Sequence, residues 1–157
     1  MITTTEQQIR WMASEARPDE TLLRWYRRAQ LRASLAATLA RLCGRSTRLQ
    51  TLDELVGGRM VYGQHDAGPR SVPIAQILAS EGRSDDFDTH FRPLQTHTWE
   101  RWRSVALALC RGETLPPVEL IAVGEHYAVR DGHHRISVAV ALGQREVDAV
   151  VSEVVVV

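Results

Sequence analysis

The sequence predicts an α+β protein, in which a mixed sheet with helices follows an all-helical N-terminal segment. Three observations support this class. Apolar residues recur at helical spacing through residues 1–60. Two short β-type runs flank a turn within residues 118–130. Valine dominates residues 147–157, which is typical of a strand. We therefore expect a helical segment over 1–60 and an α+β domain over 71–157.

Composition excludes several classes of protein. The chain has 157 residues, the usual size of one domain. Its 44% hydrophobic and 24% charged residues are typical of a globular protein and not of a disordered one. The 19 basic and 19 acidic residues cancel, which argues against binding that depends mainly on neutralising nucleic-acid phosphates. The two cysteines form neither a disulfide framework nor a zinc motif.

The sequence also carries no targeting signal that we recognise. No stretch approaches the roughly 20 apolar residues that a membrane span needs, and no secretory signal is present. We therefore expect a cytoplasmic protein without a membrane partner. All basic residues are arginine, which we attribute to a bacterial genome of high GC content.

Three helices are predicted in the N-terminal segment. A capping-box pattern at Thr3 begins the first helix, which Pro18 ends. A longer helix is predicted from Asp19 to Gly44. A second capping-box pattern at Thr51 predicts a short third helix. We expect these helices to mediate a homodimer, if the chain forms one.

Four arginines cluster on the long helix: Arg24, Arg27, Arg28 and Arg32. They are interpreted either as a stripe that contacts phosphates or as a solvated face. We favour the solvated face, because four charges are a weak signal in a neutral protein.

The next elements are predicted from turn residues and periodicity. Residues 62–71 are rich in turn formers, which predicts a link between the two parts. Alternation from Val72 predicts a strand, and Pro73 places this strand at an edge of the sheet. The charged residues 81–88 predict a loop, and a helix with two tryptophans on its apolar face is predicted over 98–111.

For several other side chains the sequence predicts no functional role. The two cysteines, Cys43 and Cys110, are expected to be buried on apolar helix faces. Three histidines are expected in loops, with no partner that we identify: His65, His90 and His97.

The most informative stretch is the run DGHHR, where a predicted strand turns into a predicted helix. A helix N-terminus exposes unpaired backbone N–H groups and a partial positive charge, which favour an anion. Gly132 lets the backbone approach a phosphate closely, and Arg135 with His133 or His134 supplies donors to its oxygens. Asp131 is placed to cap the helix, to hold a divalent ion or to accept a proton.

Two alternatives compete with this anion site. In the first, Asp131 only caps the helix, Gly132 only makes the turn, and the two histidines lie at the surface. We favour the functional interpretation, because several polar groups follow one another at one helix start. The second alternative is a metal site, which is weakened because adjacent histidines on a helix point in different directions. Its ligands would be His126, Asp131, His133 and His134.

These residues carry a resemblance to the ParB/sulfiredoxin superfamily. The matching positions, which precede a helix, Gly143 and a valine-rich strand, are Gly124, Tyr127, Val129, Asp131, Gly132 and Arg135. Further upstream, the spacing of Val72, Ile74 and Ile77, followed by Arg83 and Phe87, is similar to the opening of the ParB N-terminal domain. The resemblance covers residues 71 to about 151.

The DGHHR run is most similar to the free serine kinase branch, whose Asp-Gly-x-His-Arg turn binds the phosphates of ADP or ATP. This resemblance implies a set of phosphate-binding residues, namely Arg83, Gly132, His133, His134 and Arg135. It also implies Mg²⁺ held by Asp131 with Glu81 or Asp88, and catalysis by Glu81 and Asp131.

Other branches of the superfamily match less well. ParB proteins bind CTP and Mg²⁺ with a Gly-Glu-Arg-Arg turn, of which Gly132 and Arg135 are matched here. In sulfiredoxins a catalytic cysteine stands where this chain has His133, so sulfinic-acid reduction is excluded. We therefore predict a nucleotide-dependent phosphotransferase or nucleotide hydrolase. The alternative is a non-catalytic ParB-like module that binds DNA or a nucleotide, or a nuclease.

Overall fold

A computed structural model of the protein describes residues 18–156. Within them four helices form: α1 (Pro18–Leu42), α2 (Leu52–Val56), α3 (Trp99–Cys110) and α4 (His133–Ala141). Six strands form: β1 (Gln50–Thr51), β2 (Val61–Pro73), β3 (Ile77–Ser80), β4 (Val118–Val123), β5 (His126–Asp131) and β6 (Glu146–Val156). The predicted class, a mixed sheet with helices after an N-terminal helix, is confirmed. The helix predicted to begin at Thr3 lies outside the described residues.

The six strands form one mixed sheet in the order β1-β3-β5-β4-β6-β2. The hairpin of β4 and β5, predicted from the turn at Gly124, is antiparallel. Helix α4 then crosses the sheet, which lets β6 pair with β4 in parallel. Strand β5 also pairs in parallel with β3, so the ends of these two strands lie side by side next to the start of α4.

Strand β2 corrects the prediction of a turn-rich link over residues 62–71. It pairs antiparallel with β6 along its length, from Val61 opposite Val156 to Pro73 opposite Glu146. The glycines that suggested turns lie at register shifts within the strand, at Gly63 and Gly68. Its prolines are tolerated because β2 is an edge strand, where a missing N–H breaks no ladder bond.

The sheet buries a different cluster on each face. On one face, Leu120 of β4 packs in a cluster with Ile136 of α4. On the other, the next residue, Ile121, packs in a cluster with Val56 of α2. Because successive side chains of a strand alternate between faces, β4 contributes to both clusters. The α4 face and the α2 face of the sheet are therefore distinct surfaces.

Helix α1 packs on α3 and α4 through its N-terminal half. Leu22 and Tyr26 are buried in a cluster with Trp102, which lies on the apolar face of α3. The Tyr26 hydroxyl donates to the Gln95 carbonyl at 2.8 Å. The C-terminal half of α1 exposes a row of leucines: Leu31, Leu35, Leu39 and Leu42. No helix within 18–156 combines the length and apolarity that crossing a membrane requires.

The predictions for three isolated side chains are wrong. Cys43 is exposed, because it follows the part of α1 whose leucines face solvent. His65 lies in β2 and not in a loop, with its Nε2 atom 3.5 Å from a Glu153 carboxylate oxygen of β6. His97 is not isolated either, since its Nε2 atom lies 3.2 Å from Asp86.

Candidate functional site at the start of α4

The junction between β5 and α4 requires glycine at position 132. Gly132 is the residue before the helix and has φ of 105°, a conformation that residues with a side chain rarely adopt. A Cβ atom added there would lie 2.5 Å from Cγ1 of Val118 and 2.8 Å from its Cβ. The chain therefore turns into α4 directly against the first residue of β4.

No side chain caps α4. Asp131 instead accepts a hydrogen bond from Nη2 of Arg135, one turn later, so the capping alternative for Asp131 is wrong. The Nη1 atom of Arg135 donates to the carbonyls of Pro116 and Pro117 at 2.6 and 2.7 Å. Arg135 thus ties the helix to the segment that leads into β4, and the first turn of α4 keeps its backbone donors free of side-chain acceptors.

His133 is held by a serine that sequence reasoning missed. Its Nε2 atom lies 2.7 Å from Oγ of Ser80, the last residue of β3. The same Oγ accepts from the backbone N–H of Arg83 at 2.8 Å and of Gly82 at 3.3 Å. We assign the serine hydroxyl as the donor and Nε2 as the acceptor, which makes His133 a neutral imidazole with its proton on Nδ1. Burial, followed by the charge of Arg83, lowers the pKa of His133 to about 4, in agreement with this assignment.

His134 is buried without a hydrogen bond at Nε2, the one such side-chain atom found among the described residues. The ring of Phe87 meets it edge-on at a centroid distance of 5.3 Å and stacks on His133 at 6.0 Å. Burial, followed by the charge of Arg83, lowers the pKa of His134 to about 4. The alternative that both histidines lie at the surface is therefore wrong.

Asp88 is a structural carboxylate. Its side chain is fully buried, and Oδ2 accepts from Nε of Arg92 at 2.7 Å. Its other oxygen accepts from the backbone N–H groups of His90 and Arg92 at 3.0 and 2.9 Å. The adjacent Phe87 is also buried, so this part of the charged loop folds inward. A carboxylate so fully engaged is not placed to share a metal ion with Asp131.

Glu81 lies on the α2 face of the sheet, away from α4. Its Oε2 atom accepts from Nε of Arg130 at 3.1 Å. Together the two residues line a cavity of about 390 Å³ with Val56 and Ile121 of the α2-face cluster. Asp131, by contrast, is bound to α4 through Arg135. The structure therefore brings the residues of the DGHHR run together with Arg83, and does not bring Glu81 to them.

The described side chains do not form a metal site of their own. Within residues 18–156 no group of three His, Cys, Asp or Glu side chains could hold a metal ion. The four-ligand metal interpretation is therefore wrong, because His133 faces Ser80 and His134 packs on Phe87. A Mg²⁺ ion needs fewer protein ligands, since it binds through one or two carboxylates together with substrate phosphates. The Asp131 side chain is 61% exposed and fits as one such ligand.

The two buried histidines make stability depend on pH. Both have a pKa near 4 in the folded protein and 6.5 in an unfolded chain, so the unfolded state binds more protons between these values. The contribution of these two histidines to the free energy of unfolding should therefore be fully present above about pH 6.5 and decrease as the pH falls toward 4. Each histidine contributes a slope of up to about 1.4 kcal/mol per pH unit. Urea unfolding of wild type and His134→Gln between pH 7 and pH 4.5 measures this, and equal slopes would contradict it.

Comparisons with known proteins give one likeness in structure. No protein-family model matches the sequence. No curated protein matches it either. The structure is similar to a crystal structure of sulfiredoxin from Arabidopsis thaliana, with a TM-score of 0.40 and 16% identity. This similarity covers 53% of the present chain and 82% of that chain. The likeness concerns the fold alone.

Proposed function

We propose that this domain binds the phosphate groups of a nucleotide at the start of α4. The helix begins without a side-chain cap, so its first N–H groups have no side-chain acceptor and its partial positive charge favours an anion. Gly132, His133 and His134 are buried, so an anion reaches them only when the loop of Arg83 opens.

Arg135 lies in the first turn of the helix, and the backbone N–H of Arg83 binds the same Ser80 hydroxyl that contacts His133. The Arg83 guanidinium is exposed and forms an ion pair with Asp86 at 3.2 Å. Arginine binds phosphate oxygens through two parallel hydrogen bonds.

A phosphate reaches Arg135 by exchange with Asp131. The Asp131 carboxylate occupies Nη2 of Arg135 and is largely exposed. A phosphate oxygen is the same kind of acceptor and takes its place without loss of the contacts to Pro116 and Pro117. Asp131 is then released to the solvent side, where it is one carboxylate ligand for the Mg²⁺ that accompanies ADP, ATP or CTP.

The unpartnered Nε2 atom of His134 is the observation that carries this proposal. A buried polar atom without a hydrogen bond costs on the order of 1–3 kcal/mol, which a ligand contact recovers. His134 is the second residue of a helix start that already favours anions, and among the charged side chains Arg83 has the strongest electrostatic effect on it. We propose that Nε2–H of His134 donates to a phosphate when the loop of Arg83 opens.

Binding is tested with the full chain and the Mg²⁺ salts of ADP, ATP, CTP and GTP. Thermal unfolding identifies the nucleotides that stabilise the protein, and calorimetric titration gives their dissociation constants. Arg83→Gln and His134→Gln are each expected to weaken binding about tenfold, the loss of one charge-assisted or buried hydrogen bond. Arg111→Gln, which removes an exposed arginine just after α3, is the matched control and should bind as wild type does.

The proposal fails if none of these nucleotides stabilises the protein. It fails equally if Arg83→Gln and Arg111→Gln weaken binding by the same factor, because the effect is then one of net charge.

Phosphoryl transfer is a second candidate, favoured by the position and exposure of Asp131. An exposed carboxylate two residues before the helix can accept the proton of an acceptor hydroxyl, while the terminal phosphoryl group of the nucleotide moves to that oxygen and the shortened nucleotide leaves. Asp131→Asn should then lower nucleotide turnover by a factor of about 10² to 10³. Glu81→Gln should leave turnover unchanged, because Glu81 binds Arg130 on the other face. Equal turnover in Asp131→Asn and wild type would exclude this candidate.

A further inference from the structure

We propose that the cavity between α1 and α4 is a second binding site, for a small organic anion built on an aromatic ring. The cavity has a volume of about 420 Å³, within the range of small-molecule sites. Its walls are one face of α1, one face of α4 and the segment 91–93. It is separate from the nucleotide site proposed above.

The α1 wall supplies two arginines that no described residue neutralises. Trp25, Arg28, Ala29 and Arg32 line the cavity at spacings of three and four residues, so they share one face of the helix. Neither Arg28 nor Arg32 has an ion pair or hydrogen bond with any residue that the structure describes. The interpretation of these two arginines as part of a solvated face is therefore incomplete, since they border a cavity.

The opposite wall supplies a hydroxyl donor and one compensated charge. Ser137 of α4 is buried, and its Oγ accepts from Nε1 of Trp102 at 3.1 Å. Its own proton has no acceptor among the described residues and is available to a ligand oxygen. Arg92 also borders the cavity, but Asp88 offsets its charge. The net excess of positive charge therefore comes from Arg28 and Arg32.

The two walls are fixed relative to each other. The Tyr26 hydroxyl lies 2.6 Å from Oγ1 of Thr98, and its ring meets Trp99 and Trp102 edge-on at 5.1 and 5.5 Å. Asp19 forms two hydrogen bonds of 2.8 Å with Arg103 of α3. These contacts hold the N-terminal part of α1 on α3, and Nε1 of Trp102 in α3 binds Oγ of Ser137 in α4. The three helices are thus packed together, and the site is preformed. A preformed site binds without the cost of ordering its own elements.

These walls specify the chemistry of the ligand. Guanidinium groups recognise the oxygens of carboxylates and phosphates, and the indole of Trp25 offers an apolar surface to a flat ring. The α4 residues that line the cavity run from Ser137 to Ala141, roughly 6 to 12 Å along the helix from His133 at 1.5 Å per residue, so the cavity is separate from the helix start. An aromatic phosphate or an aromatic carboxylate satisfies both walls.

The test uses 1-naphthyl phosphate and 2-naphthoate as probes with the full chain, in calorimetric titrations. Each combines a ring with an anion, while 2-naphthylmethanol and inorganic phosphate each supply one of the two features. Both aromatic anions should bind and displace each other, and the single-feature probes should bind at least about tenfold more weakly. If only one of the two aromatic anions binds, the site distinguishes phosphate from carboxylate and the assignment narrows to that class.

Two double variants separate the cavity from the general charge of the helix. Arg28→Gln with Arg32→Gln should weaken binding of the aromatic anions about tenfold for each arginine removed. Arg24→Gln with Arg27→Gln removes the same charge from the same helix outside the cavity, and should bind as wild type does. Trp25→Leu, which keeps the charges, should weaken the aromatic anions and leave inorganic phosphate unchanged.

Three results would overturn the assignment. The first is that neither aromatic anion binds, and the second is an equal loss in the two double variants. The third is that 2-naphthylmethanol binds as tightly as the anions, which would make the cavity an apolar crevice. Arg83→Gln should not affect these probes, so this site and the nucleotide site can fail independently.

Discussion

Gly132→Ala is expected to lower the free energy of unfolding by about 3 kcal/mol, the sum of overpacking and backbone strain. The new Cβ would lie 2.5 Å from a methyl group of Val118, and the residue would keep a φ of 105°. Because Val118 begins β4 in the core, neither the turn nor the strand can move without disturbing the other. Urea unfolding with a two-state analysis measures the loss.

Two further variants separate strain from overpacking. Gly124 also has a positive φ, of 62°, but nothing lies within 4 Å of a Cβ added there. Gly124→Ala should therefore introduce backbone strain alone and lower the free energy of unfolding by only about 1–2 kcal/mol. Val118→Ala combined with Gly132→Ala should be less destabilised than the sum of the single variants, because it removes the clash. Strict additivity would show that the close approach to Val118 is not the cause.

Asp88→Ala is expected to cost about 3–5 kcal/mol, because it leaves a guanidinium and backbone donors without their acceptor. The carboxylate is fully buried and binds Arg92 together with two backbone N–H groups. Denaturant unfolding, with the native circular dichroism spectrum as a check of folding, gives the value.

Asp85→Ala is the matched control on the same loop. Asp85 is exposed, so its substitution should change stability by no more than about 0.5 kcal/mol. A small loss in Asp88→Ala, comparable with that of Asp85→Ala, would show that the loop does not depend on the buried carboxylate.

The parts of the fold that depend on local signals were predicted from the sequence. Gly124 marks the hairpin of β4 and β5, and the spacing of apolar residues after His133 marks α4. The junction at Gly132 is predicted by the glycine itself and by the spacing of apolar residues, which changes from that of a strand to that of a helix at this position. Such signals are contained in a few neighbouring residues, so a single sequence is sufficient to find them.

The parts that depend on distant contacts could not be predicted. Residues 62–71 contain turn formers, and only their pairing with β6 makes them a strand. Ser80 and His133 are 53 residues apart, and nothing in the sequence indicates that they meet. The face on which Glu81 lies is likewise set by its contact with Arg130 after the sheet has formed. Burial of the two histidines depends on Phe87, which a charged loop brings to them.

The most direct test of phosphate binding at the start of α4 is a titration followed by amide chemical shifts. In ¹⁵N-labelled protein, Mg²⁺ with ADP, ATP or CTP should move the amide resonances of His133, His134 and Arg135 in a saturable way. The amides of Phe91 and Arg92, which border the other cavity, should move much less. If none of the three nucleotides shifts the resonances at the start of α4, the proposed site does not exist.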